Sequence, residues 1–187
     1  MSTTGWIILA IVLVIVFFGI SIYNGLIRLK NKVDEAWADI ETQLKRRYDL
    51  IPNMVETVKG YAKHEKGTLE EVTKARNMAM HAGGVEGKAQ AENMLSGALK
   101  TLFAVAENYP DLKANQNFID LQQTLKDIEE HLQLSRRYYN ATVRDLNTKI
   151  EVFPNNIFAS MLHFAKRQFF QVDAAEERQN VKVNFNS

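Results

Sequence analysis

The chain has 187 residues, enough for one domain and a membrane anchor, and it carries 23 Lys+Arg against 22 Asp+Glu. This near balance, without a platform of aromatic and basic side chains, argues against nucleic acid as a partner. The chain has no cysteine, which excludes disulfides, thiol catalysis, thiolate metal sites and an acylated lipoprotein cysteine.

Residues 6–23 form a nearly continuous apolar run, WIILAIVLVIVFFGISIY. About 20 apolar residues are enough to cross a hydrocarbon core of about 30 Å as a helix. Trp6 and Tyr23 stand at the two ends of the run, where aromatic rings favour the headgroup level. We therefore expect residues 6–27 to span the lipid bilayer behind a short N-terminal tail, residues 1–5.

A cleaved signal peptide is the alternative interpretation of this apolar run. It requires a basic start and an A-x-A-like site, but residues 2–5 are STTG and no A-x-A follows, which favours an uncleaved signal anchor. The first cationic side chains, Arg28, Lys30 and Lys32, lie directly behind the span. The positive-inside rule then predicts a single-pass membrane protein with its N-terminus outside and its bundle in the cytoplasm.

Behind the anchor, apolar and aromatic side chains recur at steps of three and four, which predicts a helix with one apolar seam. The seam comprises Val33, Trp37, Ile40, Leu44, Ile51, Met54, Val58 and Tyr61. Pro52 removes one helical hydrogen bond. Because the seam keeps its phase across Pro52, we expect a kinked, continuous helix there rather than a loop.

One position of this seam is occupied by Arg47 instead of an apolar residue. In one interpretation the helix rolls slightly, and Arg47 covers the core with its methylenes while its charge reaches water. In the other, a buried guanidinium pairs with a carboxylate on a facing helix and fixes the register of the two helices.

Residues 68–108 are interpreted as an arm that returns along the first helix and is interrupted by glycines at 83–87. Tyr109-Pro110 ends the arm, because proline disfavours helical geometry in the residue before it. Asn115 or Asn117 can cap the next helix.

The next helix has the clearest pattern, a heptad repeat over 116–152. Its seam comprises Phe118, Leu121, Leu125, Ile128, Leu132, Tyr139, Val143, Leu146, Ile150 and Phe153. These helices predict an all-α fold, in which a single transmembrane helix precedes a long-helix antiparallel four-helix bundle. We expect the bundle at 28–170, built from a long helix at 28–66, the arm at 68–108, a long helix at 116–152 and a short helix at 155–170.

The end of the chain leaves alternatives open. The segment 157–170 is aromatic and amphipathic; it is a fourth bundle helix, or a surface for lipid headgroups or another subunit that uses its Phe side chains with Lys166 and Arg167. Residues 171–187 form a polar tail, in which 181–185 alternate like a strand; this segment either pairs with another chain or is loose.

Several segments closely resemble the bacterial LemA family over essentially the whole chain. They are AWADI at 36–40, QLKRRYDLIPN at 43–53, VKGYA at 58–62, NYPDLKAN at 108–115, RRYYN at 136–140 and FP at 153–154. The resemblance implies a helical bundle anchored in the bacterial inner membrane, and it implies no agreed activity. Candidate structural or interaction residues are Arg47, Pro52, Asn53, Tyr109, Pro110, Asn115, Tyr139, Asn140, Phe158, Phe164 and Phe169.

No sequence motif points to a reaction, a metal or a cofactor. The chain has no Gly-rich phosphate loop and no H-E-x-x-H, and it has no Glu-x-x-His of the kind found in di-iron bundles. The favoured function is a non-enzymatic scaffold or adaptor that presents helical faces to an unidentified protein partner or to further copies in a homo-oligomer. The alternative is a membrane enzyme or metal-binding bundle that brings together Arg47, Asn53, His64 and Glu107.

The predicted orientation can be tested with one cysteine at the end of this cysteine-free chain. In a Ser187→Cys variant, a membrane-impermeant maleimide should label the protein only after lysis, because the Lys/Arg asymmetry keeps the bundle in the cytoplasm. Labelling of intact cells would instead place the bundle outside and contradict the charge argument.

Overall fold

The computed structural model describes residues 3–171, and within this range it has six helices and no strand. The helices are α1 (Thr3–Tyr61), α2 (Lys66–His81), α3 (Gly84–Ala106), α4 (Pro110–Lys113), α5 (Gln116–Glu151) and α6 (Asn155–Met161). The all-α prediction is confirmed, since one long apolar N-terminal helix is followed by helices that form a bundle. The strand-like segment 181–185 and nearly all of the tail lie outside the described residues.

Helix α1 contains both the apolar run and the first amphipathic seam. It continues through Pro52 without interruption, so the prediction of a continuous helix rather than a loop is confirmed. Large apolar side chains from Trp6 to Ile20 are exposed, as expected for a surface that faces lipid. Among the described helices, α1 alone is long and apolar enough to cross a membrane.

The chain divides into two compact units. Unit 1 comprises the chain up to Arg46 together with Lys126–Phe169, and unit 2 comprises Arg47–Leu125 with Phe170. Both α1 and α5 therefore contribute one end to each unit.

Unit 1 is an antiparallel pairing of α1 with α5, followed by α6. The Trp37 ring packs against the Tyr139 ring with centroids 5.4 Å apart, and Lys32 lies 5.7 Å from the Tyr138 ring. The Tyr139 hydroxyl donates a hydrogen bond of 3.0 Å to the Gln168 carbonyl oxygen. The buried apolar side chains of this unit include Val33, Ala36, Ile40, Leu44, Ile128, Leu132, Val143 and Leu146. The two heptad seams thus bury each other, as their periodicity predicts.

Unit 2 packs the end of α1 against the hairpin of α2 and α3. Its buried apolar side chains include Ile51, Met54, Val58, Leu69, Val72, Ala79, Leu95, Leu102, Leu112 and Phe118. The turn between α2 and α3 uses Gly84 at a φ of +69°, a conformation that glycine adopts without strain. Asn115 caps α5, since its Oδ1 accepts a hydrogen bond of 3.0 Å from the Phe118 amide.

The structure corrects the expected bounds of the last helix, which ends at Met161 and not at residue 170. His163 has a φ of +57°. The Phe164 amide donates to the Ala159 carbonyl at 2.9 Å, and the His163 amide to the Ser160 carbonyl at 3.2 Å. This is a Schellman motif, which ends a helix with one left-handed residue. Because the left-handed residue is histidine and not the usual glycine, the sequence gives no sign that the helix ends here.

Two seam positions are also corrected. Phe153 is 79% exposed and Tyr61 is 43% exposed, although periodicity placed both in the core. Phe153 follows the end of α5 at Glu151, so the helical phase no longer directs its side chain. The Tyr61 hydroxyl instead accepts a hydrogen bond of 2.8 Å from Asn115 Nδ2.

The Tyr139 hydrogen bond provides a test of packing in unit 1. Tyr139→Phe removes the hydroxyl that donates to Gln168, and we expect a loss of about 1 kcal/mol of stability. In a chain of this size the loss lowers Tm by roughly 2–4 °C, measurable by circular dichroism of the detergent-solubilised protein. Tyr138→Phe is the matched control, because its ring is exposed and remains beside Lys32. Equal shifts in both variants would show that the hydrogen bond contributes nothing.

Candidate functional site

Arg47 lies on the apolar seam of α1, three residues after Leu44 and four before Ile51, so its side chain points into unit 2. It is only 4% exposed. Its Nη1 lies 2.9 Å from Glu92 Oε2 on α3, and its Nη2 donates a hydrogen bond of 2.8 Å to Ser96 Oγ. Of the two interpretations left open by the sequence, the structure shows the buried, paired guanidinium.

Glu92 is completely buried and uses both carboxylate oxygens. While Oε2 binds Arg47, Oε1 accepts a hydrogen bond from the Tyr48 hydroxyl. We call Arg47, Tyr48, Glu92 and Ser96 the buried polar cluster. Because a buried charge is costly unless it is paired and hydrogen-bonded, this set of partners is what allows a carboxylate to lie in the core.

The buried polar cluster is connected to α2 through backbone groups. Arg76 Nε donates a hydrogen bond of 2.7 Å to the Tyr48 carbonyl oxygen, and the Tyr48 hydroxyl lies 3.3 Å from the Ala79 carbonyl oxygen. Lys88 Nζ donates to the same Ala79 oxygen at 2.8 Å and lies 5.8 Å from the Tyr48 ring. One set of polar contacts therefore holds α1, α2 and α3 together.

The buried polar cluster has a structural role. The Arg47 and Glu92 side chains are 5% and 0% exposed, so a substrate in solution cannot reach the charged atoms. A buried, fully bonded pair of this kind fixes which residues of two helices face each other. Sequence reasoning identified Arg47 but not Glu92, which lies on the buried face of α3 together with Leu95 and Leu99.

A second polar group joins the turn after α1 to the loop before α5. The Tyr109 hydroxyl donates a hydrogen bond of 3.0 Å to Glu65 Oε1, and Asn115 binds Tyr61 as described above. The hydrogen bond to Glu65 raises the pKa of Tyr109 above its usual value of 10. Because the neutral hydroxyl is the donor, this stabilisation is present at neutral pH and is lost as the pH rises through the raised pKa.

The remaining candidate residues are spread over both units. Pro52, Asn53 and Pro110 are exposed, and nothing in the structure assigns them an interaction role. Tyr139 is buried, and burial raises its pKa, while Asn140 is half-buried and engaged in contacts. Phe158 and Phe164 are half-buried, and Phe169 is exposed; all three belong to unit 1.

The residues of the enzyme alternative do not form one site. Arg47 binds Glu92 and Ser96, Asn53 and His64 are exposed, and Glu107 forms an ion pair with Lys113. Arg47 and His64 are 17 residues apart, which at 1.5 Å per residue places them roughly 25 Å apart along α1 and its end. Within residues 3–171, no group of three or more His, Cys, Asp or Glu side chains is placed to hold a metal ion.

Unit 2 has an open groove between the end of α1 and α2, with a volume of about 1350 Å³. Apolar side chains from both helices line it, namely Val55, Leu69 and Met78. Four lysines also line it: Lys59, Lys63, Lys66 and Lys74. Sequence reasoning missed this groove, because the lysines resemble an ordinary solvated helix face until the crossing of the two helices brings them together.

The contribution of the buried polar cluster can be measured by removing one partner. Arg47→Met leaves the Glu92 carboxylate buried without its cation, and we expect a loss of about 3–5 kcal/mol of stability. Chemical denaturation followed by circular dichroism in detergent would measure it. Arg46→Met is the matched control, because the neighbouring Arg46 is exposed.

The double variant Arg47→Met/Glu92→Gln should recover more than half of that loss, since a neutral amide no longer needs the cation and still accepts from Tyr48. Similar small losses in Arg47→Met and Arg46→Met would contradict the structural role of the pair.

The chain was compared with known proteins. A sequence profile described as the LemA family matches residues 36–185. Protein LemA from Metamycoplasma hominis is 29% identical over 158 residues, which cover 82% of this chain and 70% of that protein.

Two magnetosome proteins are also similar. Magnetosome protein MamQ 2 from Paramagnetospirillum magneticum is 23% identical over 175 residues, covering 80% of this chain and 64% of that protein. Magnetosome protein MamQ from Magnetospirillum gryphiswaldense is 23% identical over 174 residues, covering 79% and 64%. The chain thus spans less than two thirds of the MamQ relatives. Because the family profile matches well over half of the chain, this protein belongs to the LemA family.

Proposed function

We propose that this chain is a membrane-anchored, non-enzymatic scaffold that binds a helical segment of another protein in the groove between α1 and α2. In this proposal the anchor lies in the bacterial inner membrane, with the N-terminus outside and unit 2 in the cytoplasm. The single observation that supports the scaffold role is the open, basic groove with an apolar lining.

The groove has the dimensions of a site for one short helix. Its α2 wall runs from Lys66 to His81, which at 1.5 Å per residue is roughly 22 Å, or about four helical turns. Apolar side chains from both walls, including Leu69 and Met78, lie between the lysines. An amphipathic helix that places one apolar face into such a groove is a recurring mode of recognition.

Charge complementarity selects the kind of helix. Four lysines line the groove against two glutamates, Glu56 and Glu70, and one of these lysines, Lys59, is already paired with Glu56 at 2.9 Å. The remaining excess of positive charge favours a partner helix whose polar edges carry Asp and Glu. The proposed partner is therefore an acidic amphipathic helix.

The comparisons are compatible with a scaffold. Neither the family description nor the names of the relatives state a reaction. Self-assembly of this chain into a homo-oligomer is a second form of the same scaffold role, in which the helical faces bind further copies.

Site-specific photocrosslinking in native membranes tests the groove. A photoreactive phenylalanine analogue at Met78, which lines the groove and is 42% exposed, should give a discrete protein adduct. The matched control is the same substitution at Met94, which is 52% exposed on α3 and should give none. Mass spectrometry of the adduct should identify an acidic amphipathic helix at the crosslink.

Charge-reversal variants distinguish specific binding in the groove from nonspecific crosslinking. Lys63→Glu/Lys74→Glu should abolish the Met78 adduct, whereas Lys100→Glu/Lys126→Glu, at two exposed positions outside the groove, should leave it intact. An adduct composed of two copies of this chain would establish self-assembly as the form of the scaffold. Equal adducts at Met78 and Met94, or none at Met78, would contradict the proposal.

A further inference from the structure

We infer that α6 and Phe153, which lies two residues before the start of α6, form a second membrane contact, in which Phe153, Ile157 and Met161 enter the boundary between headgroups and acyl chains beside the anchor. This contact is independent of the groove and of any protein partner. It depends only on residues 6–23 lying in a bilayer.

The first observation is that α6 packs directly on the apolar run of α1. A Cβ atom added at Gly19 would lie 3.2 Å from Phe158 Cε1, so the aromatic ring rests against the helix backbone where there is no side chain. After α6, the Phe164 ring meets the Tyr23 ring edge-on, with centroids 6.3 Å apart. All four residues belong to unit 1, and two of them lie in the segment that spans the membrane.

These contacts set the depth of α6. Gly19 precedes Tyr23, the aromatic end of the apolar run, by four residues, which is about 6 Å along a helix. The Phe158 ring therefore lies about 6 Å inside the aromatic end of the apolar run. Interfacial amphipathic helices bury their apolar faces about 5–10 Å into the same boundary, so α6 is at the depth that such a contact requires.

The second observation is the direction of the exposed side chains. Ile157 is 57% exposed and Met161 is 64% exposed, and their spacing of four places them on one face of α6. Asn155 and Ala159, which are also four apart, are buried. At 100° per residue the two pairs lie on nearly opposite sides of the helix. The exposed apolar face thus points away from the rest of unit 1.

The exposed apolar face of α6 lies next to the exposed apolar surface of the anchor, because Phe158 on α6 contacts Gly19. Phe153 is 79% exposed, while Phe17 and Ile20, on either side of the Gly19 contact, are 75% and 53% exposed. Contiguous exposed apolar patches mark interaction surfaces. Because this patch adjoins side chains that face acyl chains, the bilayer is its natural partner.

Charged side chains of the segment are used within the protein instead. Arg167 forms an ion pair of 2.9 Å with Asp34, and its amide donates to Asn147 Oδ1 at 2.9 Å. Lys166 pairs with Glu151. The proposed contact therefore rests on apolar side chains, and it requires neither Lys166 and Arg167 nor anionic lipid.

Single cysteines in the full-length, cysteine-free chain test the contact. Ile157→Cys carries a fluorophore in phosphatidylcholine nanodiscs, and lipids spin-labelled near the headgroup serve as quenchers. The matched control is Leu134→Cys, since Leu134 is also apolar and 55% exposed but lies on α5 within unit 1. Leu134 precedes the end of α5 at Glu151 by 17 residues, roughly 25 Å of helix. Val14→Cys reports whether the anchor is inserted.

We expect the probe at Ile157 to be quenched roughly twofold or more, as for a group at the acyl boundary, and the probe at Leu134 to be unaffected. Replacing part of the phosphatidylcholine by anionic lipid should leave this quenching unchanged. If the probe at Val14 is quenched but the probe at Ile157 is as little quenched as that at Leu134, the anchor is inserted and the second membrane contact is contradicted. Quenching at Ile157 only with anionic lipid would overturn the apolar contact in favour of a charged one.

Discussion

The pairing of Arg47 with Glu92 is the constraint on which unit 2 depends. A carboxylate that is completely buried has to be neutralised and hydrogen-bonded, and here one arginine, one tyrosine and one helix register achieve this together. Sliding α3 by one turn along α1 would leave both charges without partners, which is far more costly than a shift between purely apolar surfaces. Since Tyr48 and Arg76 also connect α1 to α2, the same constraint holds the two walls of the basic groove at their crossing.

Periodicity predicted most of the fold. The seams of α1 and α5 bury the expected residues over most of their length, because apolar side chains at steps of three and four have no other way to leave water. The errors lie where the helical phase ends. Phe153 stands beyond the last turn of α5, and His163 closes a Schellman motif without the glycine that usually marks one. The ends of helices depend on local backbone geometry, which the spacing of apolar residues does not reveal.

The candidate sites were less accessible to sequence reasoning. Arg47 was noticed because it interrupts a seam, but its partner could not be named, since a chain with many carboxylates gives no pairing rule. Tyr109 and Asn115, which belong to the segments that resemble the LemA family, hold a turn and a loop together and so have structural roles. The lysine-lined groove has no sequence signature at all, because its members become neighbours only when α1 and α2 cross.

The separation of contacts along the chain has a consequence for biosynthesis. In unit 2 the contact between Arg47 and Glu92 spans 45 residues, whereas in unit 1 the ion pair between Asp34 and Arg167 spans 133. Contacts between distant residues form later, and synthesis from the N-terminus delays them further. The seam of α1 from Val33 to Leu44 therefore emerges beside the newly inserted anchor and stays uncovered until α5 has been translated. A nascent chain of this protein exposes a long apolar stripe near the membrane surface during most of its synthesis.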